Sequence, residues 1–211
     1  VDLGLDWLIT IRDTYHIVAV NLSIGNTSAN SSTCPTSQYN GTLQDAINAG
    51  IQPVVSSGNT AFLNGVFRDG LADPGCVPGV VSVGAVYDAN IGGVNWGPCT
   101  DATTAPDRVA CFSQTASYLS LLAPGIQVTA GGQIDFNGTS MAAPHVAGAW
   151  AVLTSAMPNA TQAEILSTLQ TQGILDSDPR VAGRTTRRLE LFSALDSDGD
   201  SVLFPLDNCT A

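Results

Sequence analysis

Apolar and polar positions in the first half of the chain alternate between helical and strand-like patterns. The segment LDWLITIRDTY places Leu5, Leu8 and Ile9 at helical spacing, and the run IVAVNLS that follows is continuous and rich in β-branched residues. After a polar loop, LQDAINAG predicts a short helix closed by Gly50, and IQPVVSS and PGVVSVGAV predict two further buried strands. This alternation favours an α/β fold with a mostly parallel sheet and helices on both faces.

The second half of the chain predicts two more helices and then a change of composition. TSMAAPHVAGAWAVLTSAM is rich in small residues and long enough for a buried helix, and TQAEILSTLQTQG predicts a helix that ends at Gly173. RRLELFSAL closes the domain. From Asp196 onward, DSDGDSVLFPLDNCT alternates acids with small residues and has no periodic apolar face. We therefore expect a domain boundary near Leu195, with one domain at 1–195 and an acidic tail at 196–211.

Composition narrows the choice of partners. The 211 residues fit one domain, and 18 acids against 7 bases give a formal charge of -11. We do not expect nucleic acid as a partner, because phosphate binding needs a basic patch. No apolar run approaches the length of a membrane span, and the first residues lack the basic leader and apolar stretch of a signal peptide. We therefore expect no membrane span, and we expect any signal peptide to lie upstream of a cut amino terminus.

The five cysteines indicate extracellular disulfides, because none lies in a Cys-x-x-Cys pair with the spacing of a zinc or redox site. Cys99 and Cys111 bracket the polar loop TDATTAPDRVA, and a bridge there would stabilise the fold by about 3 kcal/mol. Cys34 and Cys76 are the natural second pair, although four cysteines allow three pairings and sequence alone does not choose among them. Cys209 lies in the tail, where a partner outside this segment is expected.

The string NGTSMAAPHVAG, at 137–148, points most directly to chemistry. It sets Ser140 between a tight glycine turn and the beginning of a helix, whose free backbone N–H groups favour a developing negative charge. A serine nucleophile needs that arrangement. The alternative role for Ser140 is a structural N-cap, which a lone Gly-Thr-Ser triplet would favour. The full string favours the nucleophile.

The string resembles the nucleophile motif of the subtilisin-like serine proteases, and the resemblance extends from about Gly4 to Leu195. NLSIG is similar to the family's substrate-binding strand and AGIQPVVSSGN to the strand that ends in the oxyanion-hole asparagine; PGVVSVGAV and ACFSQTASYLSLLAPG follow in the family's order. The resemblance implies a partial subtilisin-like fold. It also implies that Ser140 attacks the scissile carbonyl, while the Asn59 side chain and the Ser140 backbone N–H hold the oxyanion. A turn asparagine after a strand is the alternative role for Asn59.

The resemblance further implies how a peptide substrate binds. The peptide would add as an extended strand along three residues that follow a predicted strand, Ser23, Ile24 and Gly25. Three others would line the primary specificity pocket: Ser56, Ser57 and Gly58. Ala72 would lie near the base of that pocket. Because no charged residue marks it, we expect a preference for apolar or otherwise undemanding side chains.

No recognisable general base is present, although a serine hydroxyl needs one at neutral pH. His145 lies five residues after Ser140, about 140° round the helix, and is expected to face elsewhere. His16, in TYHIVAV, lies at a helix-to-strand junction without the glycine-rich helical motif that carries the family's catalytic histidine. We expect it to be a packing or surface residue.

In the family, the catalytic aspartate and histidine lie upstream of the segment NLSIG. Asp2, Asp6 and Asp13 do not match the family's aspartate motif and are interpreted as solvated charges on a helix face. Sedolisins, relatives with a Gly-Thr-Ser nucleophile, have an aspartate where this chain has Asn59, which argues against them. We expect a missing upstream segment of the same protein to supply both residues, and this chain alone to be inactive.

The tail resembles the opening of a thrombospondin type 3 repeat, in which alternating carboxylates bind calcium. Four aspartates would supply oxygen ligands to a structural calcium ion: Asp196, Asp198, Asp200 and Asp207. Ser201 and Phe204 depart from the pattern of the repeat, and an acidic linker is the alternative. No cofactor is expected for catalysis.

Two hypotheses of function remain open on sequence alone. The first is a secreted serine endopeptidase that cleaves peptide bonds through an acyl-enzyme, with this chain as its carboxy-terminal catalytic portion. The second is a catalytically inactive protein-binding or surface module derived from a subtilase. Because the strands that should cover 17–23 belong to the missing segment, we also expect that strand to be an open sheet edge that promotes dimerisation.

Overall fold

A computed structural model describes residues 1–196, which form the predicted alternation of strands and helices. The helices are α1 (Asp2–Tyr15), α2 (Asn40–Asn48), α3 (Thr139–Ala156), α4 (Gln162–Gln172) and α5 (Leu191–Leu195). The strands are β1 (Ala19–Leu22), β2 (Gln52–Ser56), β3 (Phe62–Leu63), β4 (Val66–Phe67), β5 (Val81–Val86), β6 (Val94–Asn95), β7 (Thr100–Asp101), β8 (Leu121–Pro124), β9 (Val128–Ala130), β10 (Gln133–Phe136), β11 (Ile174–Ser177) and β12 (Thr185–Arg188).

Six strands form the central sheet, in the spatial order β1, β2, β5, β8, β12, β11. Neighbours from β1 to β12 run parallel, whereas β11 pairs antiparallel with β12. The mostly parallel sheet predicted from the sequence is therefore confirmed. Within residues 1–196, β1 pairs with β2 and has no strand on its other side, so the predicted open edge is present.

Both faces of the sheet are covered by helices, and two successive residues of β2 show the reason. Val54 and Val55 are both fully buried, and they face opposite sides because side chains alternate along a strand. Val54 packs in a core cluster with Val146 of α3. Val55 packs instead with Leu5 of α1 and Leu43 of α2. The prediction of helices on both faces is confirmed.

Helix α3 is the central helix of the fold, since it packs along β1, β2, β5 and β8. Its buried face carries Ala142, Ala143 and Ala149, and these short side chains let the helix lie close to the sheet. Trp150 then fills the space toward α4 and is 2% exposed. No helix within residues 1–196 has the length and apolar character needed to cross a membrane.

Two disulfides join Cys34 to Cys76 and Cys99 to Cys111, as predicted. The first closes a separation of 42 residues and ties the loop after β1 to the segment before β5. The second closes a separation of 12 residues around β7. Cys209 lies outside the described residues, and its pairing stays a prediction.

Candidate active site

Ser140 is the second residue of α3 and lies half-buried at the amino terminus of that helix. The N-cap position is occupied by Gly138, which has no side chain with which to cap the helix. Gly138 has a φ of 146°, a conformation that L side chains rarely adopt, and a Cβ there would lie 3.3 Å from Asn59 Nδ2. The alternative in which Ser140 serves as the helix cap is therefore wrong. Its backbone N–H belongs to the first turn, where N–H groups lack an intrahelical acceptor.

The backbone carbonyl of Ser140 is also held from outside the helix. Pro144 lies four residues further along α3 and has no N–H, so it cannot donate the usual helical hydrogen bond to Ser140. Ser23 Oγ donates to that carbonyl oxygen instead, at 2.7 Å. The residue that follows β1 is thus tied directly to the residue predicted as nucleophile.

Asn59 follows β2 and is bound to the same helix end. Its Oδ1 accepts hydrogen bonds from the backbone N–H and from Oγ1 of Thr139, both at 2.9 Å. Thr139 Oγ1 in turn accepts from the backbone N–H of Gly58, at 3.2 Å. Because Oδ1 is occupied, the amide is fixed with Nδ2 as its remaining donor, and no hydrogen bond from Nδ2 is present within residues 1–196. Asn59 therefore bonds to α3 across 80 positions of sequence, unlike a turn asparagine that bonds to its own loop.

The residues predicted for the specificity pocket come together beside this turn. Ser56 Oγ donates to the carbonyl oxygen of Ile24 at 3.1 Å, which joins the predicted pocket wall, residues 56–58, to the predicted peptide-binding residues, 23–25. Ala72 lies between these two segments: a Cβ placed on Gly25 would be 3.4 Å from its methyl group, and a Cβ placed on Gly58 would be 2.7 Å from it. The Ala72 backbone N–H also donates to the carbonyl oxygen of Ser57, at 2.9 Å. The predicted wall and base consist of serine, glycine and alanine, without a charged side chain.

Neither histidine makes a hydrogen bond to Ser140 within residues 1–196. His16 lies at the opposite end of the run 17–23 from Ser23, the residue that bonds to Ser140. At about 3.3 Å per residue, this run spans roughly 20 Å. His16 is exposed and ends α1 in the left-handed conformation. His145 is also exposed, and its Nδ1 lies 2.8 Å from the carbonyl oxygen of Met141 on its own helix. That ring nitrogen must carry the proton to bond a carbonyl oxygen.

Comparison with known proteins decides the family. Residues 4–188 match the subtilase family of peptidases, Peptidase S8. The chain belongs to the subtilase family. Among related proteins, the subtilisin of Bacillus pumilus is 28% identical over 171 residues, which cover 79% of this chain and 52% of that protein. A thermostable alkaline protease of Halalkalibacterium halodurans is 32% identical over 170 residues, covering 77% of this chain and 37% of that protein.

An extracellular serine proteinase of a Thermus species is 29% identical over 200 residues, covering 90% of this chain and 40% of that protein. The chain thus spans about half the length, or less, of the curated relatives that it matches. Among solved structures, a cold-adapted subtilisin-like serine proteinase superposes with a TM-score of 0.65 at 24% identity, over 89% of this chain and 59% of the other. This likeness shows the subtilisin-like fold and confirms the fold class predicted from the sequence.

An open groove of about 540 Å³ borders Ser140 on the side of the β9–β10 hairpin. Phe136 of the hairpin and Met141 of α3 line it, and so does His145. The prediction from the helical wheel that His145 faces elsewhere is wrong in this respect. The groove is wide enough to reach both residues, although they differ by more than a turn of helix. No hydrogen bond joins the two side chains within the described residues.

The predicted calcium ligands are largely beyond the described residues. Asp198, Asp200 and Asp207 lie outside residues 1–196, so the calcium site and the boundary at 196–211 stay predictions. Asp196 is 8% exposed and donates its backbone N–H to Phe192. In the described part of the chain, the one cluster with metal-ligand spacing contains Cys34 and Cys76, whose sulfurs are joined in a disulfide.

Two residues with a part in this site were not singled out from the sequence. Thr139 holds the Asn59 amide, and its place between Gly138 and Ser140 could have suggested a contact at the helix end. Gln114 is fully buried beside the Asn59 turn. No local pattern marks Gln114, because its partners come from three separate loops.

Proposed function

We propose that this chain supplies the nucleophile, the oxyanion donors and the substrate-binding strand of a secreted subtilisin-like serine endopeptidase. We further propose that the general base and its orienting carboxylate come from residues outside this chain. One observation carries the proposal: the Asn59 amide is locked by the same helix end that presents Ser140. A donor fixed before charge develops needs little reorganisation during the reaction.

The chemistry follows from these positions. Ser140 Oγ attacks the carbonyl carbon of the scissile peptide bond and gives up its proton to the base. The carbonyl oxygen becomes an oxyanion, which accepts hydrogen bonds from Asn59 Nδ2 and from the backbone N–H of Ser140. Collapse of the tetrahedral intermediate expels the amine, which takes up the proton, and leaves an acyl-enzyme on Ser140. Water then hydrolyses that ester by the same steps in reverse order.

Support for an outside base comes from what surrounds Ser140. His16 is at the far end of β1, and no hydrogen bond joins His145 to Ser140 within residues 1–196. The open groove beside the serine has room for a side chain from another segment. Relatives extend well beyond the matched region, which leaves length for the segment predicted upstream.

The pocket and the disulfides support the finer parts of the proposal. A peptide would lie as an extended strand along Ser23–Gly25 and place one side chain in the pocket lined by residues 56–58. Uncharged walls of serine and glycine, with the methyl group of Ala72 at the base, favour apolar or undemanding side chains. Two disulfides fit an oxidising compartment, and a related proteinase is described as extracellular.

Labelling of the full-length protein with a serine-directed phosphonate tests the proposal. We expect one phosphonate per chain on Ser140, together with hydrolysis of a chromogenic peptide. Ser140→Ala should abolish both, since loss of the nucleophile in subtilisin itself costs roughly 10⁶ in kcat. Ser167→Ala, which removes an exposed hydroxyl of α4, should change neither. A full-length protein that binds peptide but neither hydrolyses it nor reacts would favour the inactive module instead.

A further inference from the structure

We propose that Gln114 is a positioning residue that sets the distance between the Asn59 turn and the base of the specificity pocket. The inference rests on the proposed function and names a determinant of selectivity at that same site. Gln114 lies in the loop before β8 and touches neither the nucleophile nor, in the proposed mode of binding, the peptide.

The side-chain amide of Gln114 is fully buried and uses all of its hydrogen-bonding capacity. Nε2 donates to the carbonyl oxygens of Ser28 and Gly70, at 2.8 and 3.0 Å. Oε1 accepts from the backbone N–H and from Oγ1 of Thr60, at 3.4 and 3.0 Å. A buried amide is destabilising unless it is bonded, so these contacts fix the three loops relative to one another.

The backbone of Gln114 strengthens its hold on the Asn59 turn. Its N–H donates to the carbonyl oxygen of Gly58, and its own carbonyl oxygen accepts from Ser57 Oγ, both at 2.9 Å. With Thr60 bound by the side chain, the residues on both sides of Asn59 are attached to Gln114. Gln114 and Thr139 of α3 therefore hold the turn together: Thr139 bonds to Gly58 and Asn59, and Gln114 bonds to Ser57, Gly58 and Thr60.

Gln114 is also connected to the base of the pocket, through Gly70. Gly70, held by Nε2, lies two residues before Ala72, and its backbone N–H donates to Thr115 at 2.7 Å. Gly58 is pressed between Ala72 and Gln114: a Cβ on Gly58 would collide with Gln114 Oε1 and would lie 2.7 Å from the Ala72 methyl group. The spacing between one pocket wall and the base therefore depends on the Gln114 amide.

Gln114→Glu tests whether the Gln114 amide connects the Asn59 turn to the base of the pocket, because the two side chains have almost the same shape. The variant keeps an acceptor toward Thr60 but replaces both Nε2 donors with an oxygen that faces two carbonyl oxygens. Repulsion should move the segment 70–72 away from Gly58 and widen the pocket. In the full-length enzyme we expect the ratio of kcat/KM for a large over a small side chain in the pocket to rise at least fivefold. Acidic pH should partly reverse this rise, because a protonated Glu regains one donor.

Gln52→Glu is the matched control, because Gln52 is another buried glutamine whose Nε2 donates to two carbonyl oxygens, those of Pro53 and Gly79. It begins β2, at the opposite end from Asn59, so the same chemical change is made away from the site. We expect it to lower stability and to leave the selectivity ratio unchanged. An equal change of ratio in both variants would overturn the proposal, since the effect would then be general destabilisation.

Crystal structures of the wild type and both variants provide a readout that does not depend on turnover. An increased separation between Ala72 Cβ and Gly58 Cα in Gln114→Glu alone supports the inference. An unchanged separation together with a selectivity ratio within twofold of the wild type overturns it. If Gln114→Glu does not fold, Gln114→Met, which keeps the length and adds no charge, takes its place in both experiments. Absence of hydrolysis in the wild type would count against the proposed function, whereas the structural comparison would still decide the linkage.

Discussion

The two edges of the central sheet are built differently. At one edge, β11 returns antiparallel on β12, and the turn between them carries Asp178 and Arg180, whose side chains are 4% and 10% exposed. Burial acts to raise the pKa of Asp178, but hydrogen bonds from Arg180 and its charge hold that pKa below its ordinary value. Arg180 also donates to the carbonyl oxygens of Cys111 and Ser113, at 2.8 and 2.7 Å. These contacts fix the turn between β11 and β12, although β11, like β1, has no strand on its outer side within residues 1–196.

At the other edge, β1 packs its side chains but leaves its backbone open. Gln52 donates to the carbonyl oxygen of Val18, so by alternation the backbone groups of Ala19 and Asn21 point outward, where no strand lies within residues 1–196. Helix α1, which leads into β1, exposes 60% of Trp7. Ser23, whose side chain donates to the backbone carbonyl of Ser140, directly follows this strand. The comparison teaches that the candidate site lies beside the edge that ends in a parallel strand, whereas the far edge ends in an antiparallel strand whose turn is fixed by an ion pair.

The two disulfides allow the regions near the two edges of the sheet to be perturbed separately. In the chain-entropy model, Cys34→Ala/Cys76→Ala should lower the free energy of unfolding by about 4 kcal/mol, and Cys99→Ala/Cys111→Ala by about 3 kcal/mol. Chemical denaturation measures both losses. Because the first bridge ties the loop next to the pocket, its removal should also weaken peptide binding. Equal effects of the two double variants on peptide binding would contradict the prediction that only the region near β1 takes part in binding.

Asn59→Leu tests whether the Asn59 amide donates to the oxyanion at the site beside the β1 edge. Loss of the amide donor should lower kcat in the full-length enzyme by roughly 10² to 10³, with a smaller effect on KM, since the bond forms as the oxyanion develops. Asn90→Leu is the control, because Asn90 is a surface turn asparagine that accepts from Gly92. A similar loss of kcat in both variants would contradict the role of Asn59 as an oxyanion donor and would indicate a purely structural role.

Self-association of the chain tests the open edge. We expect residues 1–211 to associate through β1 at high concentration, because unpaired strand backbones pair with other chains. Sedimentation at several concentrations should show a rising average mass. Asn21→Lys, which places a charge on the edge, should shift the chain toward the monomer, whereas Gln133→Lys in β10 should not. A concentration-independent monomer would contradict an open edge.

The smallest predicted effect concerns the edge formed by β11. Burial raises the pKa of Asp176 in β11 to about 6, and the charge of Asp107 adds to the shift. A pKa raised on folding means that the folded state loses stability as pH rises from about 4 through 6. Asp176→Asn should therefore raise Tm at about pH 7.5, and the gain should disappear below about pH 4. Asp88→Asn, at an exposed position, provides the control. A gain that is independent of pH would mean that charge is not the cause.

Much of the fold could be predicted because its strongest signals are local. The apolar runs that became β1, β2 and β5 are continuous, and the capping box of Thr161 and Glu164 marks the beginning of α4. The turn that presents Ser140 could be predicted for the same reason, since it is set by adjacent residues. These features depend on spacing within a few residues.

Other features were not predictable because they join distant segments. Three loops meet at Gln114, and Ser23 meets Ser140 across 117 positions of sequence. The groove shared by His145 and Ser140 depends on the β9–β10 hairpin, which a helical wheel ignores. Side-chain contacts of this kind follow from the assembled fold rather than from any local pattern.

One assay tests the central claim, that the base for Ser140 lies outside this chain. Residues 1–211 are incubated alone with a chromogenic peptide and, separately, with a serine-directed phosphonate. We predict no hydrolysis above trace and no labelling, because no hydrogen bond joins the Ser140 hydroxyl to a basic side chain within residues 1–196. Rapid turnover with phosphonate on Ser140 would contradict the claim and would show that His145 or another group of this chain acts as the base.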